Sequence, residues 1–181
     1  MKVFINPGHA PNGNPDPGAV NTTTSLRESD VAYAVGNAAM KYLINAGVEA
    51  QVLQDDDLGY ICMAANDSDA DLFISIHCNA ADNPQALGTE TYYYPGSARG
   101  AKLAQAIQNQ IVHSLHMVNR GIKEAVPGRN GLYVLNNTVM PGVLVELGFI
   151  SNDHDEKVLA NYQDELARAV ARGVTDYWQT L

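Results

Sequence analysis

Leu72-Phe73-Ile74-Ser75-Ile76-His77 is the stretch that decides the fold, a short apolar run that ends in a histidine. A second run, Val3-Phe4-Ile5, leads into Asn6-Pro7-Gly8-His9, and a third, Val143-Leu144-Val145, meets the carboxylate of Glu146. Short continuous apolar runs are typical of parallel strands that are buried on both faces. Because ligand sites form at the carboxyl ends of parallel strands, we expect His9, His77 and Glu146 to lie together at one edge of a sheet.

Helical and extended patterns alternate along the rest of the chain. The predicted helices span about Ser29 to Ala46, Leu58 to Ser68, Ser97 to Leu115, and Asp153 to Trp178 with a break near Asn161. Further strands are predicted at Val48 to Leu53, Thr89 to Tyr94, Gly131 to Leu135 and Gly142 to Val145. This order predicts an α/β fold, with a mainly parallel twisted sheet and helices on both faces. The alternating stretch Thr89 to Tyr94 is typical of an edge strand, here expected to run antiparallel.

Length and composition limit the possible classes of protein. The chain has 181 residues, so we expect a single domain over residues 1–181 with a sizeable core. A net charge of −9 argues against nucleic acid as a partner, because phosphate binding needs clustered lysines and arginines. No apolar run approaches the roughly 20 residues of a membrane span. No signal peptide is recognisable, which suggests an excised domain or another route of release, such as that of a phage enzyme passing a holin.

Two histidines are the first candidates for metal ligands. Pro7-Gly8 forms a tight turn that would carry the imidazole of His9 past the end of its strand. His77 directly follows a buried strand that can neighbour the first. Either histidine alone could simply bond to nearby backbone, whereas the pair on adjacent strands favours a metal site. Cys62 and Cys78 form no disulfide framework and are predicted to be core thiols.

Glu28 has two interpretations. Ser25-Leu26-Arg27-Glu28 fits a capping box, in which the glutamate bonds back to the amide of the cap residue. The helix that Glu28 begins also follows the His9 loop, and its start should lie at the same sheet edge as the strand ends. A carboxylate there could complete a His-Glu-His ligand set and leave a fourth position for water.

Glu146 lies within an apolar run, where burial of a carboxylate without a partner is costly. It could be a glutamate at the exposed edge of the sheet. It could also be a general base beside a metal, in a dry pocket that keeps its pKa near the working range. His113, His116 and His154 lack companions that would complete a site, so we predict that they are surface residues.

Several segments occur together in an order typical of a known family. They are Asn6-Pro7-Gly8-His9, Leu26-Arg27-Glu28, Ala70 to Asn79, Gly88-Thr89-Glu90, Asn119-Arg120-Gly121-Ile122 and Val143 to Asn152. In this order they resemble the type-3 zinc-dependent N-acetylmuramoyl-L-alanine amidases, which cut peptidoglycan. The resemblance spans nearly the whole chain, and the segments around His77 and Glu146 carry most of its specificity.

The resemblance implies that His9, Glu28 and His77 hold zinc and that Glu146 is catalytic. It also implies a sheet of about six strands wrapped by helices. The reaction would be hydrolysis of the amide between N-acetylmuramic acid and L-alanine, at the bacterial cell wall in an extracellular or periplasmic location. The loop from Asn12 to Ser25 and the segment from Pro127 to Asn130 are the expected walls of a substrate groove.

Three other functions are compatible with parts of the sequence. A zinc exopeptidase on a related α/β fold would share the ligands but release free amino acids. A binding module that had lost catalysis would need Glu146 or a ligand replaced, and none is. A metal-free α/β protein would hold no zinc. The sequence leaves open the oligomeric state and the choice between phage lysis, sporulation and cell separation.

Overall fold

A computed structural model describes residues 1–129 and 132–181, in which six strands form one sheet. The strands are β1 (Lys2–Pro7), β2 (Glu49–Val52), β3 (Leu72–Asn79), β4 (Thr89–Tyr93), β5 (Asn119–Glu124) and β6 (Gly142–Phe149). The helices are α1 (Glu28–Asn45), α2 (Leu58–Asn66), α3 (Ala98–Leu115), α4 (Tyr133–Asn137), α5 (Asp153–Asn161) and α6 (Gln163–Trp178), with a 3₁₀ turn at Pro11–Gly13. None of the helices in the described residues is long and apolar enough to cross a bilayer.

The strands lie in the order β2-β1-β3-β6-β4-β5. β2, β1, β3 and β6 pair in parallel, β4 runs antiparallel to β6, and β5 pairs in parallel with β4. This arrangement confirms the mainly parallel α/β class. The edge position expected for Thr89 to Tyr94 is wrong, because β5 lies outside β4. The sequence Asn119-Arg120-Gly121-Ile122-Lys123-Glu124 offers a single apolar side chain, so β5 carries no hydrophobic pattern that reveals a strand.

Helices cover both faces of the sheet, as predicted. Side chains that alternate along each strand supply two separate cores. Val3, Ile5 and Ile74 face the cluster that contains α1, α3 and α6, whereas Phe4 and Phe73 face the smaller cluster of α2 and α4. Toward the carboxyl ends of the strands, this second face carries polar residues in place of the aromatic ones: Asn6, Ser75, His77 and Glu146.

The boundaries of two strands matter for the site. The run that begins at Leu72 continues as strand to Asn79, and the run that begins at Gly142 continues to Phe149. His77 and Glu146 therefore lie within β3 and β6 and not beyond their ends. The regular ladder fixes both side chains on the same face as Phe73 and Leu144.

The strand predicted from Gly131 to Leu135 is wrong where the structure describes it. Tyr133–Asn137 is the short helix α4, in which the consecutive residues Val134 and Leu135 are both buried against the α2 side of the sheet. A short apolar run cannot be assigned to strand or helix from periodicity alone, and here packing decides. Asn130 and Gly131, which end the predicted groove wall and begin the predicted strand, lie outside the described residues. The break predicted near Asn161 is confirmed at Tyr162, between α5 and α6.

Gly173 on α6 allows a close approach to α3. A Cβ atom at this position would lie 2.5 Å from the Cα and 2.8 Å from the backbone nitrogen of Ile107. We expect Gly173→Ala to destabilise the protein by about 1–3 kcal/mol, although alanine is the better helix former, because the clash is with backbone. Urea denaturation measures the change. Gly59→Ala, whose Cβ would meet only a side-chain oxygen of Asp57 at 3.2 Å, is the control. A urea midpoint for Gly173→Ala equal to that of the parent would contradict the close packing of α6 against the backbone of α3.

Candidate functional site

His9 reaches the site through an unusual backbone conformation. The amide of Gly8 donates to the carbonyl of Ile76 at 2.8 Å, which extends the pairing of β1 with β3 by one residue. His9 then adopts φ of 66°, a left-handed conformation that is uncommon outside glycine and concentrates at functional sites. The turn brings its imidazole to 5.0 Å from the ring centre of His77, with the two rings at 75°.

Two glycines make room for these rings. A Cβ atom on Gly8 would lie 2.2 Å from Cε1 of His77. A Cβ atom on Gly18, which has φ of +67°, would lie 2.5 Å from Cδ2 of His9 and 2.7 Å from Oε2 of Glu28. Backbone therefore packs directly against all three side chains, and any residue larger than glycine would displace them.

Glu28 joins the two histidines. Its Oε1 lies 3.0 Å from Nε2 of His9 and 2.8 Å from Nδ1 of His77. The same oxygen accepts from the amide of Cys78 at 3.0 Å, and Oε2 accepts from the amide of Ala19 at 2.9 Å. The residue is only 4% exposed, so the position of its side chain is set by these partners.

The capping-box interpretation of Glu28 is wrong. The helix α1 begins at Glu28 itself, its cap residue is Arg27, and no side chain caps it. The amide of Ser25 donates instead to the carbonyl of Asn21 at 2.9 Å. Because the carboxylate of Glu28 points into the cluster and away from the helix start, the second interpretation of the sequence remains.

His9, Glu28 and His77 could hold a metal ion. Each offers a ligand atom, and these atoms lie within 4.8 Å of one another. The side chains of His9 and His77 are 22% and 21% exposed, so the cluster is reachable from solvent. Two imidazole nitrogens and one carboxylate oxygen form a donor set typical of catalytic zinc sites, which keep one position open.

The charges of the cluster fit a cation. Burial opposes ionisation of Glu28, but hydrogen bonds with His77 and His9 outweigh it and hold its pKa well below the usual range. Burial also opposes charge on His9, and here the contacts with Glu28 and Asp16 prevail and raise its pKa to about 9. In the metal-free protein a protonated imidazole therefore compensates the buried carboxylate. A metal ion that binds these ligands would replace that proton.

Asp16 is a functional candidate that the sequence analysis missed. Its Oδ2 lies 2.7 Å from Nδ1 of His9, and its Oδ1 accepts from the amide of Gly18 at 2.9 Å. A carboxylate on one ring nitrogen fixes the tautomer and the orientation of a ligand histidine. Asp16 belongs to the irregular loop Asn12 to Ser25, and its place between Pro15 and Pro17-Gly18 was the only available signal.

Glu146 lies beside this cluster. It pairs with His77 in the parallel register of β3 and β6, and with Glu90 in the antiparallel register of β4 and β6. Its Oε2 is buried and has no hydrogen-bond partner among the described residues. Burial is the main cause that raises its pKa to about 7; the charges of Glu28 and Glu90 add to it, and His77 opposes it. A carboxylate with this pKa can exchange a proton near neutrality.

The remaining sequence predictions about side chains are confirmed. His113 and His116 are exposed, and so is His154 at the start of α5. Cys62 and Cys78 are free and buried. Arg120 and Lys123 are the charged partners of Glu90. The sequence assigned them no role, because nothing in the pattern of β5 indicated that they contact this carboxylate.

The fold and the site together define a class, an α/β hydrolytic enzyme with a histidine-glutamate cluster at the carboxyl ends of its strands. Residues 3–176 match the family model described as N-acetylmuramoyl-L-alanine amidase. The chain belongs to this family.

Known relatives agree with the assignment over nearly the whole chain. The germination-specific N-acetylmuramoyl-L-alanine amidase of Bacillus subtilis (strain 168) is 31% identical over 196 residues, which cover 97% of this chain and 79% of that protein. The amidase LytC of the same organism is 34% identical over 98% of this chain, which spans only 35% of LytC. The solved N-acetylmuramoyl-L-alanine amidase from Clostridium difficile 630 superposes with a TM-score of 0.88 at 34% identity, covering 99% of this chain and 97% of that one.

Removal of the Glu146 charge should change how stability depends on pH. The folded-state pKa of about 7 lies above the unfolded value, so ionisation of Glu146 costs stability progressively as pH rises, and the full cost is present above pH 7. We compare the change in the free energy of unfolding that Glu146→Gln causes in the metal-free protein at two pH values. We expect this change to be more stabilising at about pH 8 than at about pH 5, by about 1–3 kcal/mol. Urea denaturation after chelator treatment gives both values. An effect of the substitution that is equal at the two pH values would show that Glu146 is not destabilised by burial.

Proposed function

We propose that this protein hydrolyses the amide bond between N-acetylmuramic acid and L-alanine in bacterial peptidoglycan, with zinc held by His9, Glu28 and His77 and with Glu146 as the catalytic base. The observation that carries the proposal is the position of Glu146 on the strand next to His77, as a buried carboxylate with one oxygen that has no partner within residues 1–129 and 132–181. Membership of the amidase family supports the choice of bond and of substrate.

Zinc fits the residues present. The three ligand atoms converge, and the buried carboxylate of Glu28 needs a positive charge that a metal supplies better than a proton on His9. When bound, zinc polarises an amide carbonyl, lowers the pKa of water and stabilises negative charge in the transition state.

The surrounding residues orient the ligands. Asp16 engages Nδ1 of His9 and leaves Nε2 directed at the cluster. The amides of Ala19 and Cys78 hold the carboxylate of Glu28 from both sides. These contacts restrict the ligand side chains to one arrangement, which favours metal affinity because less conformational freedom is lost on binding.

Glu146 moves the proton. It takes a proton from the attacking water and later passes it to the amine of L-alanine as the C–N bond breaks. Its Oε2 accepts no hydrogen bond from the described residues, which leaves this oxygen available to accept the proton. A dication at the neighbouring cluster would lower the pKa of Glu146 from about 7 and keep the base ionised at neutral pH.

The site of action is the bacterial cell wall, and the partner is a glycan strand with its peptide stem. The face of the sheet that carries His77 and Glu146 provides the floor of the groove. The loop from Asn12 to Ser25 forms one wall, since its backbone contacts Glu28 and its Asp16 contacts His9. Nucleic acid is no partner in this proposal, consistent with the net charge of −9.

Loss of one imidazole should abolish tight metal binding. We expect His77→Ala, and equally His9→Ala, to retain well under one tenth of the parental zinc after dialysis, because two remaining ligands cannot hold the ion tightly. Elemental analysis of the purified proteins measures the zinc content. His113→Ala, which removes an exposed histidine on α3, is the matched control and should keep full zinc. Full occupancy in His77→Ala would remove His77 from the ligand set.

Glu146→Gln should retain fold and zinc but lose hydrolysis. Glutamine has nearly the same shape and cannot accept the proton, so we expect a loss of about 10²–10⁴-fold or more. The assay follows new L-alanine amino termini released from purified peptidoglycan, together with reducing sugar ends, which should not rise. Near-parental turnover by the variant would falsify the mechanism. New reducing ends from the parent would identify a glycosidase, and free amino acids would identify an exopeptidase. Loss of zinc together with activity would make Glu146 a ligand.

A further inference from the structure

Two cations surround Glu90, the strand neighbour of the proposed catalytic base. Glu90 pairs with Glu146 across β4 and β6, and its Oε2 contacts both Nε of Arg120 and Nζ of Lys123 at 2.5 Å. The cations come from β5, the edge strand beyond β4. Adjacent strands are about 4.8 Å apart, so this pair lies roughly 10 Å from Glu146, two strands along the same face of the sheet.

The cluster holds more positive charge than Glu90 requires. Glu90 is only 2% exposed, and its Oε1 already accepts from Asn79 at 3.0 Å and from the hydroxyl of Tyr92 at 2.8 Å. Burial opposes its ionisation, but the bonds from Lys123 and Arg120 lower its pKa, so it stays charged. The two cations exceed the single negative charge of Glu90 by one unit, in a chain of net charge −9.

Both cations are held in place while part of each faces solvent. The guanidinium of Arg120 lies 4.8 Å from the ring centre of Phe149, and Nζ of Lys123 lies 5.8 Å from that of Tyr92. Their side chains are 35% and 36% exposed. Cations fixed by ion pairs and aromatic rings lose little conformational freedom when a ligand binds, which favours a binding site.

We propose that Arg120 and Lys123 bind a free carboxylate of the peptide stem, on the side of the scissile bond that leaves with L-alanine. This inference rests on the proposed function. The lactyl carboxyl of N-acetylmuramic acid is consumed in the amide, and N-acetylated sugars are neutral, so the anionic groups near the bond belong to the peptide. An extended chain covers about 3.3–3.6 Å per residue, which places the bound carboxylate within roughly the first three stem residues.

The subsite makes the enzyme sensitive to amidation of the stem. A carboxamide carries no charge, and its NH₂ group is a hydrogen-bond donor. The side chains of lysine and arginine have no acceptor atom for such a donor. Stems with free carboxylates are therefore the preferred substrates, and amidated stems are cleaved more slowly. Lys123 and Arg120 act as binding residues for specificity and take no part in bond cleavage.

The test compares two soluble substrates with the zinc-loaded enzyme. One is an N-acetylmuramoyl tripeptide whose stem carboxylates are all free, and the other is the same compound with those carboxylates converted to carboxamides. We expect the parent to show a kcat/KM for the free acid about five- to tenfold above that for the amide, the scale of a partly exposed charged hydrogen bond. Lys123→Gln should reduce this ratio toward one, by lowering kcat/KM for the free acid while that for the amide stays near the parental value. In this variant Arg120 still pairs with Glu90, so the buried carboxylate keeps a cation.

Two further variants separate binding from structure. Lys123→Arg keeps the charge and should keep the preference. Lys157→Gln removes an exposed lysine from α5, with the same change of net charge, and should leave the ratio unaltered. A parent without preference, or an equal loss on both substrates in Lys123→Gln, would overturn the subsite while leaving the amidase function intact. A parent that cleaves neither substrate would overturn the proposed function and the subsite with it.

Discussion

The carboxylate of Glu28 is the group on which the arrangement of the site depends. A charged carboxylate at 4% exposure is costly to bury unless it is fully paired, and its partners come from three separate segments of the chain. His9 follows β1, His77 lies in β3, and the amide of Ala19 comes from the loop that separates β1 from α1. Pairing of Glu28 thus ties the start of α1 to two strands and fixes the loop above them. The requirement for compensation at this one residue brings the histidines together.

Three glutamates near the same sheet edge have different protonation behaviour because their surroundings differ. Glu28 is held ionised by two histidines, and Glu90 by a lysine and an arginine. Glu146 is buried, its Oε2 has no donor in the part of the chain that the structure describes, and two carboxylates lie near it, so its pKa rises to about 7. Environments that push the pKa values of neighbouring groups apart are how proteins assign ligand, structural and proton-transfer roles to the same residue type. The three side chains are chemically identical, so their different protonation follows from the residues that the fold places around each of them.

Sequence patterns predicted most of the secondary structure because most elements have a clear period. α1, α3 and α6 carry apolar residues at helical spacing, and β1, β3 and β6 are continuous apolar runs between them. The elements that were missed lack such a signal. β5 is polar, and it forms a strand because β4 offers an unpaired edge. α4 is five residues long and is helical because Val134 and Leu135 both pack into the smaller core.

The sequence by itself determined the α/β class, the order of all strands and helices except β5 and α4, and the residue types that could bind a metal and move a proton. These features are local, since each depends on the spacing of side chains within one segment. Only the tertiary structure decided that Glu28 contacts His9 and His77 and does not cap its helix, that Asp16 orients His9, and that Arg120 and Lys123 surround Glu90 beside Glu146. Each of these contacts joins residues that are far apart in the chain or lie in irregular loops. They arise from the strand order and from the need to compensate buried charge, neither of which a single segment contains.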